Sequence, residues 1–266
     1  MTTHAVAAPT VSPAKQLAVA PKVPKAPPQR YRVYEVIEET KEVKSLRVSP
    51  ENGQSVTPFQ PGMFVDLHLP AQQGHGSGWN GHFAPYSIAS SPTATEYYEL
   101  TYKRKGAFTQ ALWNLKPGDL IGVSAPQGKN YYHEGGEMVL IAGGIGITPC
   151  MAILRYATAI KSSTKILLLY SNRTPADIVY HQEMHQLIKE NPNLKIVHTL
   201  TRHPKEHAPD SYENGRIDQA MLHNYVPNPT EKQWFLCGGI EMTREILKTL
   251  RALGVNFKNI HFESWG

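Results

Sequence analysis

The sequence predicts a two-domain chain: an N-terminal antiparallel β-barrel followed by a C-terminal α/β domain built on a doubly wound parallel sheet. Three observations carry that prediction. Short β-type runs punctuated by turn residues fill the first half. Strand-like apolar runs alternate with helix-like segments in the second half. Where the two textures meet, Val139 to Pro149 reads as a buried strand, a glycine-rich turn (Gly143, Gly144, Gly146) and a helix start.

The 266 residues suffice for one large domain or two ordinary ones, and 41% hydrophobic content supports real cores. Residues 1–30 hold Lys15, Lys22, Lys25 and Arg30 and no acid, so four of the five net positive charges sit in that stretch and the remainder carries 23 basic against 22 acidic side chains. A near-neutral body gives no footprint for nucleic acid. The Ala-, Pro- and Lys-rich composition of residues 1–30 predicts a disordered, extended tail, a linker or tether to a partner. No apolar run approaches the ~20 residues of a membrane span, and the tail lacks the apolar core of a secretory signal. A cytoplasmic protein is therefore expected, with an organelle stroma or matrix as the alternative if the tail is a transit segment.

Residues 31–133 form the expected barrel. Strands are predicted over Tyr31–Glu39, Val43–Val48, Met63–Leu69, Pro85–Ala89, Tyr97–Lys103 and Leu120–Ser124, with a loop over Gln72–Gly81 and a short helix over Phe108–Leu115. On the fourth strand Tyr86 and Ser87 face opposite ways, so one can stack on a flat ligand while the other packs or hydrogen-bonds; an ordinary strand ending in a Ser-Ser-Pro turn is the competing reading. Gly106 and Thr109 open the helix with a close-approach glycine and a hydroxyl, which suits a phosphate or a simple helix cap.

Residues 134–266 form the expected α/β domain. Its strands are Met138–Ala142, Ile166–Tyr170, Leu194–Leu200, Trp234–Cys237 and Asn259–Phe262. Helices are predicted from Pro149 to about Ile160, from Thr174-Pro175 through Lys189, after Gly215–Asp218 to about His223, and over Met242–Leu253. Pro149 suits a first helical position. The glycine turns at 143–146 and 238–239 both fall at carboxyl ends of strands, the edge where such sheets bind ligands. A helix N-terminus fed through glycines is an anion site, the usual place of a nucleotide pyrophosphate. The two cysteines, Cys150 and Cys237, are too few for a disulfide framework or for the about four ligands of an iron–sulfur cluster, so any such cluster belongs to a partner. The twelve histidines suggest no metal site, although His181 and His185 share a helix face.

With both halves laid out, the chain from Tyr31 to Gly266 resembles the ferredoxin–NADP(+) reductase family, which includes cytochrome b5 reductases and oxygenase reductases. The resemblance rests on Tyr86-Ser87-Ile88-Ala89-Ser90, Gly106 with Thr109, Gly143 to Pro149, Ser171-Asn172-Arg173-Thr174-Pro175, Cys237-Gly238-Gly239 and Phe262-Glu263. It implies an FAD-binding barrel, with FMN as the alternative, and an NAD(P)-binding domain. Tyr86 would lie against the flavin ring and Ser87 near its N5, with Ile88, Ala89 and Tyr102 in the same site. Gly106 and Thr109 would hold the FAD pyrophosphate. Gly143, Gly144, Gly146, Thr148 and Gly238 would hold the nicotinamide dinucleotide, with Cys237 beside nicotinamide C4. Ser87, Cys237, Glu263 and Trp265 are the implied catalytic set, Trp265 as the aromatic shield of the flavin face. A buried small residue at a strand end is the competing reading of Cys237.

One position departs from the family. An arginine usually precedes the flavin-stacking tyrosine by two residues; here that residue is Ala84. Losing one charge-assisted contact costs about 1.5–3 kcal/mol, and His82, Lys103 and Arg104 are the candidates to replace it. Arg173 and Arg202 stand after the second and third strands of the sheet, where no acid stands, which leans towards NADP. The expected function is a flavin-dependent NAD(P)H oxidoreductase that exchanges single electrons with a separate carrier such as a ferredoxin, flavodoxin or cytochrome. The alternatives are a reductase of small acceptors (free flavin, quinone, ferric complexes) and a non-catalytic subunit with weakened flavin binding.

Overall fold

The computed structural model describes residues 27–70, 79–202 and 212–265. Most of the tail, residues 1–26, and most of the predicted loop, residues 71–78, lie outside them. The strands of the first half are β1 (Gln29–Thr40), β2 (Val43–Pro50), β3 (Phe64–Pro70), β4 (Trp79–Ser87), β5 (Tyr98–Lys103) and β6 (Leu120–Val123). They form a six-stranded sheet in the order β4-β3-β6-β1-β2-β5, and every pairing is antiparallel. The two edges meet just beyond β4, where Ile88 bridges to Leu100 and the Ala89 N–H donates to Glu99 O at 2.8 Å, so the sheet curls into a barrel. Alternate residues of each strand point inward. Val33, Leu46, Val48, Val65, Leu67, Leu100, Ile121 and Val123 fill the interior, beside a stacked Tyr31–Tyr98 pair at 5.7 Å. Burying each such aliphatic side chain contributes about 1.5–3 kcal/mol. The short helix α1 (Ala107–Trp113) closes one end, with Leu112 buried and its carbonyl accepting from the Tyr102 hydroxyl at 2.9 Å.

The second half holds β7 (Glu137–Gly143), α2 (Ile147–Ala159), β8 (Lys165–Asn172), α3 (His181–Glu190), β9 (Leu194–Leu200), β10 (Tyr212–Asn214), α4 (Gln219–Tyr225), β11 (Gln233–Gly239), α5 (Ile240–Ala252) and β12 (Ile260–Trp265). Its strands are all parallel, in the order β10-β9-β8-β7-β11-β12. Both faces are covered, as parallel sheets require. Met138, Leu140 and Ala142 pack with Ile153 and Leu154 of α2 and Met184 and Leu187 of α3. Val139 and Ile141, on the other face, pack with Leu222 of α4 and Ile246 and Leu250 of α5. The chain leaves β7 for β8 on one side and returns from β10 to place β11 on the other, so the strand order reverses at β7 and a crevice opens at the carboxyl ends of β7 and β11.

Several boundaries differ from the sequence reading. β1 begins at Gln29, inside the stretch read as tail, and β4 begins at Trp79 and stops at Ser87, whereas Pro85–Ala89 was expected. Pro149 is the third residue of α2, not its first, because the 3-10 turn Gly144–Gly146 already carries the chain into the helix. The helix expected from Thr174 through Lys189 is broken. A 3-10 turn over Pro175–Asp177 ends at Ile178, and Tyr180 adopts a left-handed backbone (φ 60°) before α3 starts. The three-residue strand β10 had no sequence signal.

Candidate functional site

A cleft of ≈ 300 Å³ lies at the carboxyl edge of the parallel sheet. Gly143, Gly144 and Gly239 form its floor, Asn172 and Arg173 one wall, and the barrel's Glu42 and Lys103 the opposite rim. Lys103 and Glu42 pair at 2.7 Å. The glycines serve different purposes. Gly144 has φ +53° with open space where a side chain would start, and its carbonyl accepts from the Tyr170 hydroxyl at 3.0 Å. It is the residue of the turn that leaves room for a ligand. At Gly146 a Cβ would stand 2.2 Å from Cys237 O, and at Gly143 and Gly238 it would strike Met242 at 2.7 and 2.4 Å. Those three glycines let the turn, β11 and α5 pack in contact. The Thr148 hydroxyl donates to Ile145 O at 3.2 Å and so braces the same turn.

Asn172 was not singled out as a site residue in the sequence. It is 5% exposed, and among the described residues neither polar atom of its buried side-chain amide has a hydrogen-bond partner. A buried amide that makes no such bond, on the wall of a cleft, has donor and acceptor capacity to offer a polar ligand. Arg173 is exposed next to it. The following turn is fixed by Asp177, whose carboxylate accepts from the Thr174 N–H at 3.0 Å and the Thr174 hydroxyl at 2.7 Å. Arg202 is exposed; its N–H donates to Arg173 O at 2.9 Å, and its side chain does not line the cleft.

Behind the floor, Cys237 is fully buried and aligned with Ala142 on one side and Glu263 on the other. Burial, reinforced by Cys150 and Glu263, pushes its thiol well above the ordinary range, so it stays protonated. Glu263 is half-buried, and burial raises its carboxyl against a smaller opposing effect of the Tyr131 hydroxyl. Tyr131, which carried no sequence signal, stacks on Phe235 at 4.6 Å. It also packs against Gly62 so closely that a Cβ there would stand 2.3 Å from the ring. Trp265 pairs through its backbone with Gly239.

On the barrel side, Tyr86 is half-buried, stacked at 6.3 Å on Phe108 and edge-on to Tyr102, and burial lifts its hydroxyl to about 12. Tyr102 and Ile88 lie inside the barrel core, so they support the Tyr86 ring from behind. Ser87 ends β4 opposite Phe64. Ala89 packs in the core of the parallel sheet, the same cluster that holds Cys237. The strand carrying Tyr86 and Ser87 thus runs directly into the domain that carries Cys237. Gly106 is open around its Cα, whereas the Thr109 hydroxyl is committed to the backbone: it accepts from the N–H groups of Lys105 and Gly106 and donates to Gly106 O. That is the geometry of a cap. Ala84 stands opposite Leu67. Of its candidate replacements, Lys103 is paired with Glu42 and Arg104 lies 4.5 Å over the Trp113 ring.

The sequence model of the oxidoreductase NAD-binding domain matches residues 140–248, the span that carries both glycine turns and the cleft wall. A solved structure, the FAD/NAD-binding domain of nitric oxide dioxygenase from Vibrio cholerae, superposes with a TM-score of 0.80 at 25% identity, covering 91% of this chain and all of that one. In sequence and fold this chain is similar to the ferredoxin–NADP(+) reductase family. Among its relatives, the reductase subunit of glycine betaine monooxygenase from Chromohalobacter salexigens is 27% identical over 213 residues, 78% of this chain and 56% of that protein. The flavohemoprotein of Bacillus subtilis is 27% identical over 236 residues, 86% of this chain and 57% of that protein. The chain therefore spans little more than half the length of these two relatives. The cytochrome b5 reductase domain of Ulva prolifera nitrate reductase shares the fold, with a TM-score of 0.75 at 22% identity.

Proposed function

We propose that this chain is a member of the ferredoxin–NADP(+) reductase family, a flavin-dependent NAD(P)H oxidoreductase that delivers electrons to a separate redox protein. The observation that carries the reading is the junction itself. One continuous segment, Tyr86 to Ala89, leaves the barrel beside the half-exposed Tyr86 ring and enters the core that holds Cys237, next to a cleft floored by the Gly143–Gly146 turn. FAD, when bound, supplies a two-electron acceptor for hydride that also releases electrons singly. The chain's contribution is position and charge. Tyr86, backed by Phe108 and Tyr102, offers the face for a flat ring, and Ser87 offers a hydroxyl at the strand end. The neutral Cys237 thiol fits beside stacked rings without adding charge, and Glu263 holds a proton more readily than an ordinary carboxyl.

In this reading residues 31–133 bind FAD and residues 134–266 bind the nicotinamide nucleotide. Asn172 and the Gly144 turn hold the dinucleotide, and Arg173 on the open wall meets a 2′-phosphate, which favours NADPH. The partner is a one-electron carrier such as a ferredoxin, flavodoxin or cytochrome. An iron–sulfur cluster would sit on that partner, because these 266 residues hold two cysteines and both are buried. The tail would tether the two proteins.

The test is the visible spectrum of the full chain reconstituted with FAD. Anaerobic NADPH should bleach the flavin bands, and Arg173→Ala should raise KM for NADPH about tenfold or more while leaving NADH unchanged, since a charge-assisted contact is worth about 1.5–3 kcal/mol. A chain that takes up no FAD, or holds it unbleached by either nucleotide, overturns the reading.

A further inference from the structure

Arg155 lies in the third turn of α2, outside the cleft, and is 11% exposed. Burying a guanidinium requires that its donors be filled, and the way they are filled is informative. Nη1 donates to Ala89 O and to Glu99 Oε1, both at 2.7 Å. Nε and Nη2 donate to the two carboxylate oxygens of Glu183 at 2.6 Å each. The guanidinium also lies 4.9 Å over the Tyr180 ring. Glu99, only 1% exposed, is held from the other side by Arg47 Nε at 2.8 Å, and Arg47 in turn reaches Glu35 at 2.8 Å. Burial alone would raise the Glu99 carboxyl, but Arg155 and Arg47 hold it below the usual carboxylate range.

The four anchored elements are those that place the two proposed ligands. Ala89 ends the segment that carries Tyr86 and Ser87, and its N–H is already fixed on Glu99 O. Glu99 lies in β5, four residues before the cleft residue Lys103. Arg155 itself belongs to the helix that grows out of the Gly144–Gly146 turn. Glu183 opens α3, directly after the Asn172–Asp177 wall. A planar five-donor group suits such a junction because its fork fixes direction as well as distance.

We infer that Arg155 is the positioning residue for hydride transfer: it sets the separation of the flavin-bearing strand from the nucleotide-bearing helix. The inference rests on the proposed oxidoreductase function. It separates positioning from binding, since Arg155 lies outside the cleft and a misplacement of about 1 Å can cost on the order of 10²-fold in rate without loss of affinity.

The experiment is stopped-flow flavin reduction in the FAD-loaded chain with Arg155→Met and Arg155→Lys, beside flavin content and nucleotide Kd. The expected result for Arg155→Met is normal flavin content, a nucleotide Kd within about twofold of the parent, and flavin reduction at saturating nucleotide slowed tenfold or more. Arg155→Lys, which keeps the charge but cannot span all three acceptors, should recover part of that rate. Parental reduction rates in Arg155→Met overturn the inference. So does a loss confined to flavin content or nucleotide Kd with the rate per bound flavin unchanged. If Arg155→Met does not fold, Arg155→Lys decides alone: a threefold or greater slowing at unchanged Kd supports the inference, and the parental rate overturns it. A parent protein that no nucleotide reduces condemns the proposed function instead, so the two failures are distinguishable.

Discussion

Gly146→Ala offers a sharp test of how the glycine turn is built. Its backbone (φ −62°, ψ −3°) is one that alanine adopts freely, so conformational strain plays no part. The cost is steric. The new methyl would lie 2.2 Å from Cys237 O, 2.7 Å from Cys237 C and 3.0 Å from Gly238 N, all of them backbone atoms. Reaching an ordinary contact of 3.4 Å requires the start of α2 to move about 1.2 Å away from β11. Forcing a methyl into a packed interior costs about 1–3 kcal/mol, and at about 2–4 °C per kcal/mol for a chain near this size the melting temperature should fall by roughly 2–12 °C. The same displacement moves the floor of the cleft, so NAD(P)H-dependent turnover should drop by about 10². Gly144→Ala is the control. It has no clash but a left-handed φ of +53°, and should cost only about 1–2 kcal/mol. Differential scanning fluorimetry and steady-state nucleotide oxidation measure both. A Gly146→Ala protein that melts with the parent and turns over normally would refute the packing argument.

Three further outcomes follow from single features. Asn172→Ala removes a buried amide with no hydrogen-bond partner among the described residues, so stability should stay within about 0.5 kcal/mol of the parent while nucleotide Kd rises; a loss beyond 2 kcal/mol in urea melts would show that the amide is satisfied after all. Both thiols are buried and held protonated, so a chromogenic disulfide reagent should titrate neither in the native protein at pH 8 and both after denaturation. His198 is pushed down to about 4, first by burial and then by His181 and His185. The unfolded chain therefore binds the His198 proton more readily than the folded one, and the His198 contribution to stability is complete above about pH 6.5 and is lost as pH falls towards 4. His198→Phe should flatten that part of the stability profile, and an unchanged slope would contradict the assignment.

The fold was largely legible because its signals are local. β7 and β11 are short apolar runs bounded by turn residues, and α5 repeats its buried Thr243, Ile246 and Leu250 at helical spacing. Where the reading failed, the deciding interaction was distant or too small to leave a pattern. Tyr180 breaks the expected long helix with a left-handed backbone that no glycine announces, in a site where its hydroxyl bonds Thr101 of the barrel. β10 is three residues long, below the length at which alternation can be seen. The start of β4 is hidden by its Gly and His content. At the candidate site the glycine turns stood out, but their division of labour did not. Whether a glycine faces a ligand or a neighbouring strand depends on atoms nearly a hundred residues away, as with Gly146 and Cys237. The Arg155 junction was invisible for the same reason, since Glu99 lies 56 residues before it.

The barrel and the parallel sheet do not meet as two finished bodies. Ala89 and Val43, from the barrel strands and their edge, are part of the sheet's own core, and Glu99 and Thr101 complete polar groups that the sheet leaves open. Neither half can therefore be isolated without exposing an apolar gap and stranding buried charge. Heating should release the whole molecule in one endotherm, its calorimetric and van't Hoff enthalpies in agreement. Local loosening should then begin at the rim of the cleft and not by parting the halves.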